Sequence, residues 1–223
     1  MKTASRAMST GKVLQKGMTD FRDDWESLER VYRVFPATRA QRQAWRRASN
    51  AVYQSLSAQG HMGLPALIPG LVHARLATGL LAGGYRTKSQ LADRSFLCLG
   101  CHAGLEVRIL RDFGARRAMG VEIRENVVRE AVRAHLVEPT EIMAADFWTL
   151  LTVETETIWD DILILAPQGL SLHKLWTVAR PHLVHGGHLV TVAQKSDLLD
   201  SPVEVSQGVA LEGTMQWYVL TND

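Results

Sequence analysis

The chain of 223 residues is long enough for one large domain, or for one domain with a helical extension. Hydrophobic residues make up 46% of it and charged residues 22%, so the composition allows a sizeable core. No stretch approaches about 18 uncharged apolar residues, which excludes a predicted membrane span and a membrane partner.

The net charge of +2 conceals a strong asymmetry along the chain. Residues 1–94 contain 15 basic and 6 acidic residues, whereas residues 95–223 contain 10 basic and 17 acidic residues. A basic segment can dock on an acidic one or recruit an anionic substrate. The change in composition predicts a boundary near residue 94.

Residues 1–19 carry four basic residues and no acidic one. We interpret them as a polar basic tail and expect a cytoplasmic protein, although the same composition is typical of a mitochondrial transit peptide.

Residues 20–94 are predicted to be helical. Asp20 and Thr38 are placed to cap two helices, and a third is predicted over 64–83 with Pro65 at its start. This segment is expected to form a lid or a substrate platform.

From Ser95 onward, short apolar segments alternate with helical patterns. The predicted strands cover 96–99, 117–122, 142–145, 161–165 and 188–193. The predicted helices cover 105–113, 126–137 and 172–183. Two further strands are expected at 203–205 and 217–220. The nearly pure apolar strands indicate an α/β domain over 95–223, with a doubly wound, mostly parallel, seven-stranded sheet.

The first predicted strand ends in a glycine-containing loop, Leu-Gly-Cys-His-Ala-Gly. Ligands of such sheets bind beyond the carboxyl ends of the strands, and glycines there permit close approach of the backbone. Glu122 ends the second strand, where an acid accepts hydrogen bonds from ribose hydroxyls. These features indicate a nucleoside-containing cofactor. The dinucleotide-binding pattern requires glycines at 100, 102 and 105, and only one of these three positions is glycine. A pattern with glycines at 100, 102 and 104 matches at two of its three positions.

The segment FLCLGCHAGLEVRIL resembles motif I of the class I, Rossmann-like S-adenosylmethionine-dependent methyltransferases. AMGVEI resembles motif II, MAADF motif III, and WDDILILAP and HLVHGGHLVTV the fourth and fifth strands; no specific family is identified. The resemblance covers residues 94–223 and implies S-adenosylmethionine as cofactor. The cofactor-binding residues that it implies are Gly100, Cys101, His102, Gly104, Glu106, Glu122, Ile123, Asp146, Phe147 and Ala166.

Two positions depart from the family pattern. Cys98 stands where the family usually has an acid that helps to hold the amino group of the cofactor, and His102 replaces the middle glycine. Glu106, on the first turn of the next helix, is the expected substitute for the missing acid. The segment at 166–169 lacks the Asn/Asp-Pro-Pro-aromatic motif of amino-methylating relatives, which argues against amide N-methylation of DNA or protein by that route.

Other chemistry-bearing residues have an ordinary interpretation beside a functional one. His61, His73 and Tyr85 are candidate general bases, although packing or surface roles are the more frequent alternative. His182, His185 and His188 are spaced by three, but Gly186 and Gly187 separate them. We therefore predict no metal site and interpret them as solvated histidines.

Cys98 and Cys101 form a C-x-x-C pair that we interpret as structural thiols. Arg39, Arg42 and Arg46 form a stripe with Arg47 adjacent. The stripe is interpreted first as a solvated helix face and second as an RNA-phosphate contact.

Three functions follow from these observations. The first is a methyltransferase with a small-molecule acceptor. The second is a catalytically silent cofactor-fold module or partner subunit, and the third is an RNA methyltransferase that uses the basic segment. A homo-oligomer is compatible with each of them.

Overall fold

The computed structural model describes residues 32–60, 67–153, 157–165, 171–194, 208–210 and 215–222. Helix α1 spans Arg39–Ala58, and Thr38 caps it as predicted. The Thr38 hydroxyl accepts the Gln41 backbone N–H at 3.1 Å, and the Gln41 side chain accepts the Thr38 N–H at 2.9 Å. This reciprocal pair satisfies two otherwise unpaired donors at the helix start. Most of the helix predicted from Asp20 lies outside the described residues, and residues 32–34 are helical.

Helix α2 spans Pro69–Ala82. The predicted start at Pro65 is wrong, because Ile68 has an extended backbone and acts as the residue before the helix. Pro69 takes the first helical position, where a missing N–H costs nothing. A 3-10 helix, Lys88–Leu91, then leads into the sheet domain.

The sheet domain alternates strands with helices as the sequence predicts. Its elements are β1 (Ser95–Leu99), α3 (Leu105–Asp112), β2 (Arg117–Glu122), α4 (Glu125–Arg133), β3 (Ile142–Ala144), α5 (Phe147–Thr152), β4 (Trp159–Ile164), α6 (Leu172–Ala179), β5 (Leu183–Gln194), β6 (Gly208–Ala210) and β7 (Met215–Thr221). The sheet order is β3-β2-β1-β4-β5-β7-β6, with β7 antiparallel to both of its neighbours. The chain reverses its direction of winding between β1 and β4, which confirms the doubly wound α/β class.

Several boundaries differ from the sequence prediction for identifiable reasons. Helix α6 ends at Ala179 because Pro181 follows, and β5 begins at Leu183 rather than at His188. Helix α4 ends at Arg133, and His135 just beyond it has a φ of +53°. The strand predicted at 203–205 lies outside the described residues. Helix α5 was not predicted.

The two faces of the sheet carry two hydrophobic clusters. Phe96, Leu163 and Val190 belong to one face, which helices α1 to α4 cover with Trp45, Leu56, Leu76, Leu80, Ile109 and Val127. Leu97, Ile162 and Leu189 belong to the other, which α5 and α6 cover with Leu151, Leu172, Leu175 and Ala179. Helices α1 and α2 therefore share the core of the sheet domain. Their role as a lid or substrate platform stays a prediction. Within the described part of the chain, no helix is long and apolar enough to cross a membrane.

A buried carboxylate connects the helical segment to the sheet. Asp161 is fully buried and accepts hydrogen bonds from the Tyr85 hydroxyl and from His188 Nδ1 at 2.9 Å. Arg94 Nη2 lies 3.3 Å from the same carboxylate. Asp161 pairs in register with Phe96, the second residue of β1, so this cluster lies toward the amino ends of the parallel strands. A buried charge needs such partners to offset its lost hydration.

We predict that Tyr85→Phe lowers the free energy of unfolding by about 1.5–3 kcal/mol, since it removes one donor from a buried carboxylate. Denaturant unfolding of the variant measures this loss. Tyr53→Phe, at an exposed position of α1, is the matched control and should stay within about 0.5 kcal/mol of wild type. Equal stability of both variants would contradict the assigned role of the Tyr85 hydroxyl.

Candidate functional site

The loop after β1 turns through three residues with left-handed backbone conformations. Gly100 has a φ of +65°, His102 of +50° and Gly104 of +73°. The middle residue of the family pattern is a glycine, and the structure shows why: this position also requires a positive φ. Histidine adopts it at a conformational cost that glycine does not carry.

The Glu122 carboxylate closes this loop onto the end of β2. Its Oε2 accepts the backbone N–H of His102 at 3.0 Å. Its Oε1 accepts the backbone N–H of Arg124 at 3.1 Å and the Arg124 Nε–H at 2.6 Å. Burial alone would raise the pKa of Glu122, but the Arg124 bonds and charge outweigh it and hold the pKa below its usual value. Glu122 is therefore an ionised group at the carboxyl edge of the sheet.

Cys101 fixes the first part of the loop through both its backbone and its side chain. Its backbone N–H donates to the Val121 carbonyl at 3.1 Å. A Cβ atom on Gly120 would come within 2.5 Å of Cys101 Sγ, so β2 needs glycine at that position. Neither Gly120 nor Arg124 is identified by the sequence. The role of Gly120 depends on the packing of Cys101 against it, and that of Arg124 on the orientation of its side chain toward Glu122.

Gly100 and Gly104 have different surroundings. A Cβ on Gly104 would lie 3.1 Å from Val137 Cγ1 and 3.3 Å from Ile142 Cδ1, so this glycine faces packed core. A Cβ on Gly100 would meet nothing within 4 Å. Gly100 therefore leaves open space beside the loop, and it is the better candidate for close approach of a ligand.

The candidate cofactor-binding residues that follow β2 and β3 lie in different environments. Ile123 is 68% exposed at the end of β2, which is unusual for so apolar a side chain. Asp146 caps helix α5: its carboxylate accepts the Trp148 N–H at 3.2 Å and the Thr149 hydroxyl at 2.9 Å. Phe147 packs against Trp148 with ring centroids 5.1 Å apart. Contact of Asp146 or Phe147 with an adenine ring stays a prediction, and Ala166 lies outside the described residues.

Glu106 is a buried carboxyl group on the first turn of α3. Burial raises its pKa to about 7, the Glu122 charge adds to the increase, and the Arg75 charge opposes it. Burial also raises the pKa of the Cys98 thiol well above its usual range, with a further contribution from Glu106. Cys98 is thus a neutral thiol, and Glu106 supplies the titratable carboxyl group beneath this loop.

The structure does not bring the candidate bases to this loop. The His73 ring lies 5.4 Å from the Phe113 ring, at the far end of α3, and its Nε2 contacts the Phe35 carbonyl at 2.8 Å. Tyr85 lies at the amino edge of the sheet with Asp161. His61 lies outside the described residues. We therefore assign neither His73 nor Tyr85 to chemistry at the carboxyl edge.

The three spaced histidines are not a common set of solvated residues, which corrects that interpretation. His182 is buried with Nε2 2.8 Å from the Leu151 carbonyl, His188 contacts Asp161, and His185 is exposed. In the described residues, no group of three or more His, Cys, Asp or Glu side chains is arranged to hold a metal ion. Cys98 and Cys101 are free and buried, as structural thiols would be.

The solved structures that this chain resembles include methyltransferases. The putative methyltransferase yhhF from Escherichia coli aligns with a TM-score of 0.54 at 12% identity, over 67% of this chain and 86% of that one. The N-methyltransferase NodS from Bradyrhizobium japonicum WM9, in complex with S-adenosylhomocysteine, aligns at 0.50 and 17% identity, over 77% and 98%. Fibrillarin from Aeropyrum pernix, with natively bound S-adenosylmethionine, aligns at 0.50 and 19% identity, over 66% and 74%.

No family model and no curated protein matches the chain. At these identities the structural similarity concerns the fold. The chain has the fold of class I S-adenosylmethionine-dependent methyltransferases, as its motifs predict.

We predict that Glu106 makes stability fall as pH rises. Its pKa is raised from an ordinary 4.5 to about 7, so between these values the folded state binds more protons than the unfolded state. The free energy of unfolding therefore decreases across this range and levels off above pH 7. Glu106→Gln should gain about 1–3 kcal/mol over wild type by pH 8.

Denaturant unfolding of both proteins at a series of pH values checks this. The measurement at the acidic end is the internal control, because there the carboxyl group is protonated in both states and the two proteins should differ little. A difference independent of pH would contradict the raised pKa.

Proposed function

We propose that the chain binds S-adenosylmethionine at the carboxyl edge of the sheet and transfers its methyl group to an acceptor. The observation that carries the proposal is the Glu122 carboxylate, ionised and joined to a left-handed glycine loop beside the winding reversal between β1 and β4. Ligands of doubly wound sheets bind at this reversal. The class I methyltransferase fold supports the same position.

The residues present fit the nucleoside half of the cofactor. A carboxylate offers about four acceptor positions, and Glu122 uses three of them for His102 and Arg124. One is left for a ribose hydroxyl, and a shift of the half-exposed Arg124 side chain would provide a second. Ile123 offers an apolar surface to the adenine ring, and the space beside Gly100 admits the ligand.

The methionine half requires a substitute for the family's strand acid. Cys98 is a neutral thiol, whereas Glu106 has a carboxyl group that a cationic ligand would hold in its ionised form. We infer that Glu106 takes this role. When bound, the cofactor supplies a methyl group already activated by its sulfonium centre. The protein then needs chiefly to orient the acceptor and exclude water.

For the acceptor we propose a small molecule. The ionisable groups identified at the carboxyl edge are the carboxyls of Glu106, Glu122 and Asp146, the guanidinium of Arg124, which is paired with Glu122, and Arg75, whose charge acts on Glu106. Carboxyls outnumber guanidiniums among these groups, which disfavours a polyanion such as RNA beside the methyl donor. RNA is the alternative acceptor, since α1 carries the arginine stripe.

A cofactor-fold module without catalysis is the second candidate. It is favoured by the thiol at Cys98 and by the use of both Asp146 oxygens in capping α5. Calorimetric titration of the wild-type protein with S-adenosylmethionine and S-adenosylhomocysteine tests the cofactor binding on which the enzyme depends. Absence of measurable affinity for both compounds would favour the module and contradict the enzyme.

We predict that Glu122→Ala weakens S-adenosylmethionine binding by about 1.5–3 kcal/mol, the scale for lost hydrogen bonds to a charged group. This corresponds to an increase in Kd of about 10- to 150-fold. Glu125→Gln, an exposed acid three residues along, is the control and should bind as wild type does. Equal affinities of all three proteins, measured by calorimetry, would remove Glu122 from the site.

Gly100→Ala and Gly114→Ala form a matched pair for the loop. Both glycines have positive φ, and a Cβ at either position meets nothing within 4 Å, so both variants should lose about 1–2 kcal/mol of stability. Only Gly100→Ala places a methyl group beside the proposed ligand. We expect its Kd for S-adenosylmethionine to rise about tenfold or more, with Gly114→Ala unchanged. Equal affinities would mean that the ligand does not approach Gly100.

A further inference from the structure

A second concave site lies between the two helices that precede the sheet. A cavity of about 690 Å³ is formed where α1 faces the start of α2, and its lining includes Tyr32, Arg42, Trp45, Arg46, Leu67 and His73. This volume is within the usual range of small-molecule sites. None of the lining residues belongs to the glycine loop, β2 or α5.

The charged side chains that line this cavity, Arg42 and Arg46, are both basic. Arg42 and Arg46 project from successive turns of α1, and among the described residues no acidic side chain lines the wall or forms an ion pair with either of them. The Arg42 guanidinium donates to the Ala37 carbonyl, which restrains it at the rim. Behind the wall, Asp112 accepts the Trp45 indole N–H at 2.6 Å and is paired with Arg108 at 3.2 Å.

His73 adds a neutral acceptor to this cationic wall. The residue is 2% exposed, and burial lowers the pKa of its imidazole, with the Lys88 and Arg42 charges adding to the effect. Because Nε2 contacts the Phe35 carbonyl, that nitrogen carries the proton of the neutral ring. The other ring nitrogen then has a lone pair. Leu67, Ile68 and Pro69 complete an apolar wall.

The cavity is distant from the proposed cofactor site. Trp45 and His73 pack against Phe113, which follows α3, whereas the glycine loop precedes that helix. Eight residues of α-helix, about 12 Å, separate the two ends. A ligand in the cavity and a cofactor at the loop would therefore occupy separate sites.

We propose that this cavity is a binding site for a small organic anion, with a carboxylate or phosphate on the two arginines and an apolar body against the Leu67 wall. Guanidinium groups bind both anions through paired hydrogen bonds. The arrangement favours a small molecule over RNA because only two of the four arginines of the stripe line the cavity. Arg42 and Arg46 line it, whereas Arg39 and Arg47 do not. A polyanion tracking the helix surface would use all four.

The test is calorimetric titration of the full chain with phenyl phosphate and benzoate, and with a single-stranded 20-nucleotide oligouridylate as the polyanion. The variants are Arg46→Gln, with Arg39→Gln and Arg47→Gln as controls on the same helix. All three arginines are exposed, so the substitutions should leave the helix folded, and thermal unfolding checks this.

We expect saturable 1:1 binding of phenyl phosphate or benzoate, weakened about tenfold by Arg46→Gln and less than about twofold by either control. Inorganic phosphate, which lacks the apolar body, should bind more weakly than phenyl phosphate. Two results would overturn the proposal. One is the absence of saturable binding of both aromatic anions in the millimolar range. The other is a preference for oligouridylate with equal losses in all three variants and steep salt dependence, which would instead assign the stripe to RNA.

Discussion

The hydrogen bond from the His102 backbone to the Glu122 carboxylate joins the two strands on which the candidate site depends. The loop after β1 passes through three left-handed residues, a path that a chain does not keep without external support. Glu122 supplies that support from β2 with a charge-assisted bond, and the Val121 carbonyl of the same strand adds a second by accepting the Cys101 N–H. The carboxylate proposed to hold the ribose is thus also the group that shapes the loop around it.

The sheet divides its polar interactions between its two edges. At the amino edge, Asp161 accepts hydrogen bonds from Tyr85 and His188 and forms an ion pair with Arg94. These contacts connect the helical segment to β4. At the carboxyl edge, the polar groups support a loop that faces open space at Gly100. Because few groups are shared between the edges, the carboxyl edge can change its ligand contacts without disturbing the cluster that fixes the helices on the sheet.

Much of this architecture follows from local sequence signals. Thr38 with Gln41 marks the start of α1, apolar runs mark the central strands, and Glu122 lies at the strand end that its position predicts. What sequence could not show is which partner each polar group meets. Tyr85 meets a carboxylate 76 residues away, and Arg42 and Arg46 face a cavity. These outcomes depend on tertiary packing, which the order of residues does not reveal.

The packing of Cys101 against Gly120 also has a consequence for thiol chemistry, since alkylation of the buried cysteines can report on opening of the loop. Both Cys98 and Cys101 are buried, and burial raises the pKa of each thiol, so alkylating reagents meet neither an accessible sulfur nor a thiolate in the closed state. Modification must then wait for the junction of β1, β2 and α3 to open. The rate of alkylation consequently measures how often the loop leaves β2, and a ligand that closes the loop would appear as protection of the two sulfurs.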